Sequence, residues 1–212
     1  NQFHRNSEDL QHQKKHSHSY RHLYLDIEAI PDDHYGQYDL IFSIACFEHI
    51  HRLPQAIRVM HQCLRPGGRL FTMHSPIWSA FDGHHLPIER LSRFRQPVDE
   101  QNWIFKPWEH LLLTRSQTFD VMKDRFDSGF AEEVIYYTYN SDHINRYFSE
   151  DYFMAFQASP FAVNQCQPSF PSAPPPNVQS ALEQRNPGYK QFANNGIFGL
   201  LSKDKAPYKI IF

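Results

Sequence analysis

Glycine is scarce in this chain and comes late. Of 212 residues 8 are glycine, at positions 36, 67, 68, 83, 129, 188, 196 and 199, so a glycine-dependent turn is excluded from the first 35 residues. Cysteine is scarcer still. Cys46, Cys63 and Cys166 are too few and too scattered for a disulfide framework or a zinc knuckle, and a reduced, cytoplasmic compartment is expected. Neither sign of charge prevails: 21 basic and 23 acidic residues leave −2, which gives no electrostatic footprint for nucleic acid. No run of about 18 apolar residues is present, so no membrane-spanning helix is expected. The opening stretch, residues 1–18, has no apolar centre and does not read as a secretory signal. The first residue is Asn rather than Met, so translation is expected to begin elsewhere. What remains is 41% hydrophobic and 15% aromatic, which argues for a globule of one domain with a substantial insertion.

Residues 1–21 are polar and rich in histidine, with Ser7-Glu8-Asp9 placed to begin a short surface helix. His12, His16, His18 and His22 include two i,i+4 pairs that suit a transition metal, but no acid or cysteine completes the set, and a solvated face accounts for them. Residues 22–26 read as a short strand ending at Asp26, followed by a turn from Pro31 to Gly36. Residues 38–44 form a continuous apolar run of the length and kind expected for a strand covered on both faces. A helix over 54–63 presents Ala56, Val59, Met60 and Cys63 on one face. Pro66-Gly67-Gly68 ends it, and 69–73 is a second buried strand. Strand, helix and strand make one βαβ unit, hence a parallel pair. The aromatic stretch 76–110 has little periodicity and reads as a lid or binding loop. Helices are expected over 116–126, 141–156 and 178–185, with strands over 161–167 and 196–202, and a stiff proline connector over 171–176.

The segment YDLIFSIACFEHIHRLPQAIRVMHQCLRPGGRLFTMHSP, residues 38–76, resembles the class I S-adenosylmethionine-dependent methyltransferases, of the type 11 kind. The likeness lies in Tyr38-Asp39, in Glu48-His49 and in Leu64-Arg65-Pro66-Gly67-Gly68. Leu25-Asp26-Ile27 stands where that family keeps an acid at the end of its third strand. Weaker pieces, Trp78, Gly83-His84-His85, Trp108-Glu109-His110, Asn145-Arg146 and Asn186-Pro187-Gly188-Tyr189, resemble a subgroup acting on small molecules or glycans. The resemblance runs over 22–203. It implies an α/β fold, a partial Rossmann-like doubly wound sheet with a mostly helical and aromatic insertion. It also implies S-adenosylmethionine as cofactor, held by Asp26, Ile27, Ser43, Ile44 and Ala45, and a small-molecule or glycan-related acceptor beside His49, His84 and His85. No metal is implied. Ligands of such sheets bind beyond the carboxyl ends of the strands, and a neutral histidine suits removal of a hydroxyl proton. His84 and His85 are adjacent, so at most one is expected to face the site.

The family's strongest element, a glycine-rich turn after its first strand, has no counterpart before Gly36. In the family's strand order, 3-2-1-4-5-7-6, strands 1 and 2 separate strand 3 from strand 4. Their absence leaves an opening of about 10 Å and exposed edges. The expectation is an amino-terminally truncated enzyme that binds cofactor weakly or not at all, with strand 3 shifted against strand 4 or residues 1–37 detached, and with self-association through the sheet edge. The expected divisions are 1–21, a polar segment; 22–75, part of the cofactor half; 76–160, a cap; 161–203, closing strands; and 204–212, a tail. Other readings stay open: Asp26 as a turn acid, His49 as a surface residue, the whole as a non-catalytic remnant acting through protein contacts, or a histidine-rich metal-binding module. Gly67-Gly68 is read as a structural turn, and Trp103 and Trp108 as packing residues.

Overall fold

The computed structural model describes residues 22–87, 91 and 104–204. Its centre is a four-stranded sheet in the order β1-β2-β4-β3, with β1 Tyr38–Ile44, β2 Leu64–His74, β3 Ala162–Ser169 and β4 Gly196–Ser202. β1 and β2 are parallel, and β4 runs antiparallel to both β2 and β3. The order β1-β2-β4-β3 is that of strands 4, 5, 7 and 6 in the sheet that the resemblance implies, a partial Rossmann-like sheet. The parallel pair follows from the βαβ unit, while the antiparallel β4 goes beyond it.

Helix α1, Leu53–Cys63, joins β1 to β2 and buries Leu53, Ala56, Ile57, Val59, Met60 and Cys63. Pro54 opens it, where a missing N–H is harmless. The Pro-Gly-Gly sequence is not a turn between helix and strand, as the sequence suggested, because β2 already starts at Leu64. The helix's last carbonyls, on Gln62 and Cys63, accept from the amides of Gly36 and Gln37. The chain can therefore enter the sheet at once and bulge between Leu64 and Arg69, where Gly67 adopts a φ of 76°.

One face of the sheet carries the main core. Phe47, Leu70, Ile197 and Leu201 pack there against α1 and against Tyr152 and Phe156 of α5, Ser149–Gln157. The insertion folds on itself through α2 (Glu109–Leu112), α3 (Arg115–Arg125), α4 (Ser128–Ile135) and a π-helical turn over Tyr136–Asn140. Its own core contains Leu86, Leu91, Ile104, Phe105, Met122, Phe130 and Val134. Thr114 caps α3 in a reciprocal capping box with Gln117. Trp108 is a packing residue whose Nε1 donates to the Phe192 carbonyl, and Trp103 lies outside the described residues. Helix α6, Pro176–Arg185, follows the proline connector.

Two elements differ from expectation. Residues 22–26 form no strand; an extended stretch leads into a 3-10 turn over Ile27–Ala29. Among the described residues no neighbouring strand offers this stretch a ladder. It neither pairs with β1 nor detaches: Ile27 packs on the main core, and Glu28 pairs with Arg52 at 2.5 Å. The helix expected over 141–156 is confined to Ser149–Gln157. Upstream of it, Asn145 donates through its backbone N–H to Glu48 O and through Nδ2 to Phe47 O and Ile50 O. Those bonds tie the segment across to another loop, in place of a helical ladder.

Candidate active site

Beyond the carboxyl end of β1 the chain leaves the sheet at Ala45, in left-handed conformation (φ 47°), and turns through Phe47–His49. This turn is stitched to residues 142–147. His49 Nδ1 donates to His143 O at 2.5 Å, His51 Nε2 donates to Asp142 O at 2.8 Å, and Tyr147 Oη donates to His51 O at 2.9 Å. Asn145 adds the bonds already described, and its Oδ1 accepts from Tyr152 Oη. A carbonyl can only accept, so His49 donates from Nδ1, and Nε2 is the ring nitrogen left for another partner.

A cavity of about 700 Å³ opens here. Asp26, Ile27, Ser43, Cys46, His49 and Asp142 contribute to its walls, with Ile41, Ile50 and Met60 as apolar surface. Four of the residues singled out from sequence, Asp26, Ile27, Ser43 and His49, thus share one cavity. Ile44 and Ala45 do not line it. Ile44 is 43% exposed elsewhere, and the Ala45 amide donates back to Met73 O.

The two adjacent histidines part company. The His85 ring stands edge-on to His49 at 5.0 Å and lies 5.5 Å from His143, which is itself 5.4 Å from His49. His84 turns into the insertion, against Phe105 at 5.0 Å and His110 at 5.6 Å, and its Nδ1 accepts from the Leu86 amide. Burial, with smaller contributions from His110 and His85, holds the His84 pKa well below the ordinary value. Burial likewise lowers His110 to about 4 and His74 to about 3.

His143, Asp142 and Cys46 escaped the sequence reading. Asp142 and His143 lie far along the chain, and no spacing signals that residues 142–147 return to β1. Glu48 was noticed only as part of a motif. It is 1% exposed, on the inner side of the turn. Among the described residues no group of three or more histidines, cysteines or acids is arranged to hold a metal ion. His12, His16 and His18 lie outside them. Among the described residues, too, no helix is long and apolar enough to cross a membrane.

Residues 2–70 match the family described as "Methyltransferase domain". This match begins upstream of residue 22, where the motifs begin, and stops within β2. No curated protein matches closely enough to count as a relative. Among solved structures, the chain is similar to an S-adenosylmethionine dependent methyltransferase from Mesorhizobium loti, with 14% identity, a TM-score of 0.40, and coverage of 84% of this chain and 67% of that one. It is also similar to a geranyl diphosphate methyltransferase in complex with GPP and sinefungin, at 10% identity and a TM-score of 0.41, covering 85% of this chain and 51% of that one. Likenesses this distant add nothing to the family match and the geometry.

Proposed function

Because residues 2–70 match the family described as "Methyltransferase domain", we propose that this protein methylates a small-molecule or glycan-related acceptor, with S-adenosylmethionine as the methyl donor in the cavity at the carboxyl end of β1. The observation that carries this reading is the meeting of Asp26, Ile27, Ser43 and His49 around one cavity. Its size falls within the range of small-molecule and cofactor sites. Its donors and acceptors also suit the cofactor: the Asp26 carboxylate accepts hydrogen bonds, the Ser43 hydroxyl does both, and Ile41 and Met60 offer apolar surface.

When bound, the cofactor supplies an electrophilic methyl group on a sulfonium. The chain's own part is to hold the acceptor in line and take its proton. His49 is placed for the second task. The bond from Nδ1 to His143 O fixes the ring and leaves Nε2 as the base, so that a hydroxyl acceptor gives up its proton there as its oxygen is methylated. His85, against His49, orients that ring. The three free thiols fit a reducing, cytoplasmic setting. Among the described residues no strand pairs with the outer edge of β1, which supports self-association.

The test is methyl transfer from radiolabelled S-adenosylmethionine into pooled alcohols and saccharides. His49→Gln is expected to lower the rate by about 10²–10⁴-fold while S-adenosylhomocysteine binding stays unchanged. Equal rates for the variant and the unaltered protein would exclude His49 as the base.

A further inference from the structure

Only part of the proline connector over 171–176 has a structural job. Pro175 and Pro176 open helix α6, where a missing N–H is harmless, and the Pro175 carbonyl accepts from the Gln179 amide. Phe170, Pro171 and Pro174 are not needed for that start. They follow the edge strand β3, which ends at Ser169. Phe170 is the odd residue: it is 57% exposed, and its backbone is left-handed, with a φ of 51°. Residues with a bulky side chain rarely adopt that conformation, and the position before a proline favours extended backbone instead. Such strain gathers at binding sites, and here it accompanies an aromatic ring left in water.

Beyond Phe170 the chain runs extended into α6. Prolines at 171, 174, 175 and 176 fix φ at about −65° and bias the residues before them to extended backbone. Pro175 itself has φ −55° and ψ 149°, which is polyproline II geometry. Pro171, Ala173, Pro175 and Pro176 are exposed, while Ser172 and Pro174 are partly buried. The Ser172 amide donates to Ala193 O at 2.8 Å and tethers the strip. Among the described residues no backbone amide bonds to the carbonyls of Pro171, Ser172, Ala173 or Pro174. The strip thus offers proline rings and carbonyl acceptors already held in one shape, so little conformational freedom is lost on binding. It is also uncharged: residues 152–182 contain no Asp, Glu, Lys or Arg. An ionic groove has nothing to hold here.

We propose that residues 170–176 are a docking strip for a protein domain with an aromatic-lined groove that reads extended proline ligands, of the EVH1 type. Phe170 is the anchor and enters an apolar pocket of the partner. Pro171 and the uncovered part of Pro174, one polyproline turn apart, lie across the partner's rings. Indole or phenol donors of the groove take the unclaimed carbonyls. This surface draws on no residue of the methyl-transfer site and stands or falls apart from it.

The probe is an EVH1 domain titrated into the ¹⁵N-labelled full chain, with an SH3 domain, whose ligands carry a charged flank, as the control. The EVH1 domain is expected to bind with a Kd below about 1 mM and to move the amide signals of Phe170, Ser172, Ala173 and Asn177. The SH3 domain is expected to bind at least about tenfold more weakly. Phe170→Ala is expected to weaken EVH1 binding about tenfold or more, the loss of an aromatic anchor, and Phe170→Trp to keep it. Pro171→Ala combined with Pro174→Ala is expected to weaken it as well, while Gln167→Ala, at an exposed position of β3, leaves it unchanged. Thermal melting shows whether each variant is folded, and Phe170→Ala, at an exposed position, carries the test if the double proline variant is not. No binding of the EVH1 domain at about 1 mM, equal binding by the SH3 domain, or binding that Phe170→Ala leaves unchanged overturns the proposal. Signals that move only outside residues 169–177 overturn it too.

Discussion

Three histidines whose pKa is lowered by desolvation, His74, His84 and His110, give the molecule a pH dependence whose sign can be worked out. Burial holds His74 at about 3, His110 at about 4 and His84 well below the ordinary 6.5. Between those values and 6.5 the unfolded chain binds protons that the native protein refuses, so stability rises with pH across that window and this contribution levels off above it. Glu48 works in the opposite sense: its raised pKa favours the native state at low pH, and that contribution is lost as pH climbs through the raised value. Urea midpoints measured from pH 4 to 8 are expected to climb to about 6.5 and then flatten, with His74→Phe showing a shallower climb. A midpoint that falls over that interval would contradict the burial of these rings. At this scale the sequence was partly legible. His49 could be singled out because Glu48-His49 follows an apolar strand. His143 could not, because nothing in its neighbourhood announces the loop that brings it back. Burial, which decides the chemistry of Glu48 and His74, is a property of the packed molecule and leaves no local mark.

Among the elements, the best-read were those with strong periodicity or an unbroken apolar run: α1, β1 and β4 fall within a residue or so of where the pattern places them. The failures share a cause, since each depends on a partner distant in sequence. Residues 22–26 lack a ladder, and 141–148 bond to the turn after β1 instead of to themselves. This second connection makes a testable difference. Asn145 is buried and serves the carbonyls of Phe47 and Ile50 and the hydroxyl of Tyr152. Asn145→Ala strands these groups and is expected to cost about 2–3 kcal/mol. Thr114→Ala, which removes only the cap of α3, is expected to cost about 1 kcal/mol. Chemical denaturation of both variants checks the order, and equal costs would mean that the stitched turn is not a structural hinge-pin of the site.

At the scale of the whole molecule, the sheet order was legible through the family resemblance, whereas the uncovered face of the sheet shows only in three dimensions. Phe42 stacks on Phe71 at 5.0 Å, and Phe71 meets Phe198 at 5.3 Å, an aromatic row across β1, β2 and β4. Leu40, Phe42 and Ile44 are 54, 65 and 43% exposed on that face, beside an edge of β1 that no strand pairs with among the described residues. An apolar edge of this kind promotes association. Sedimentation is expected to show species heavier than the 25.1 kDa chain as concentration rises, with Leu40→Lys combined with Phe42→Lys restoring the single-chain mass. A concentration-independent monomer in both would show that the edge is silent.

The cavity at the end of β1 carries the functional account, and calorimetric titration with S-adenosylhomocysteine addresses it most directly. Because the sequence has no glycine turn before Gly36 to bring backbone close to the cofactor, weak binding is expected, with a Kd of about 0.1–1 mM, or about 4–5.5 kcal/mol. Asp26→Asn is expected to weaken it by a further ~tenfold, the loss of one charged hydrogen bond. No heat at millimolar ligand, or binding that Asp26→Asn leaves untouched, would contradict the assignment of this cavity to the cofactor.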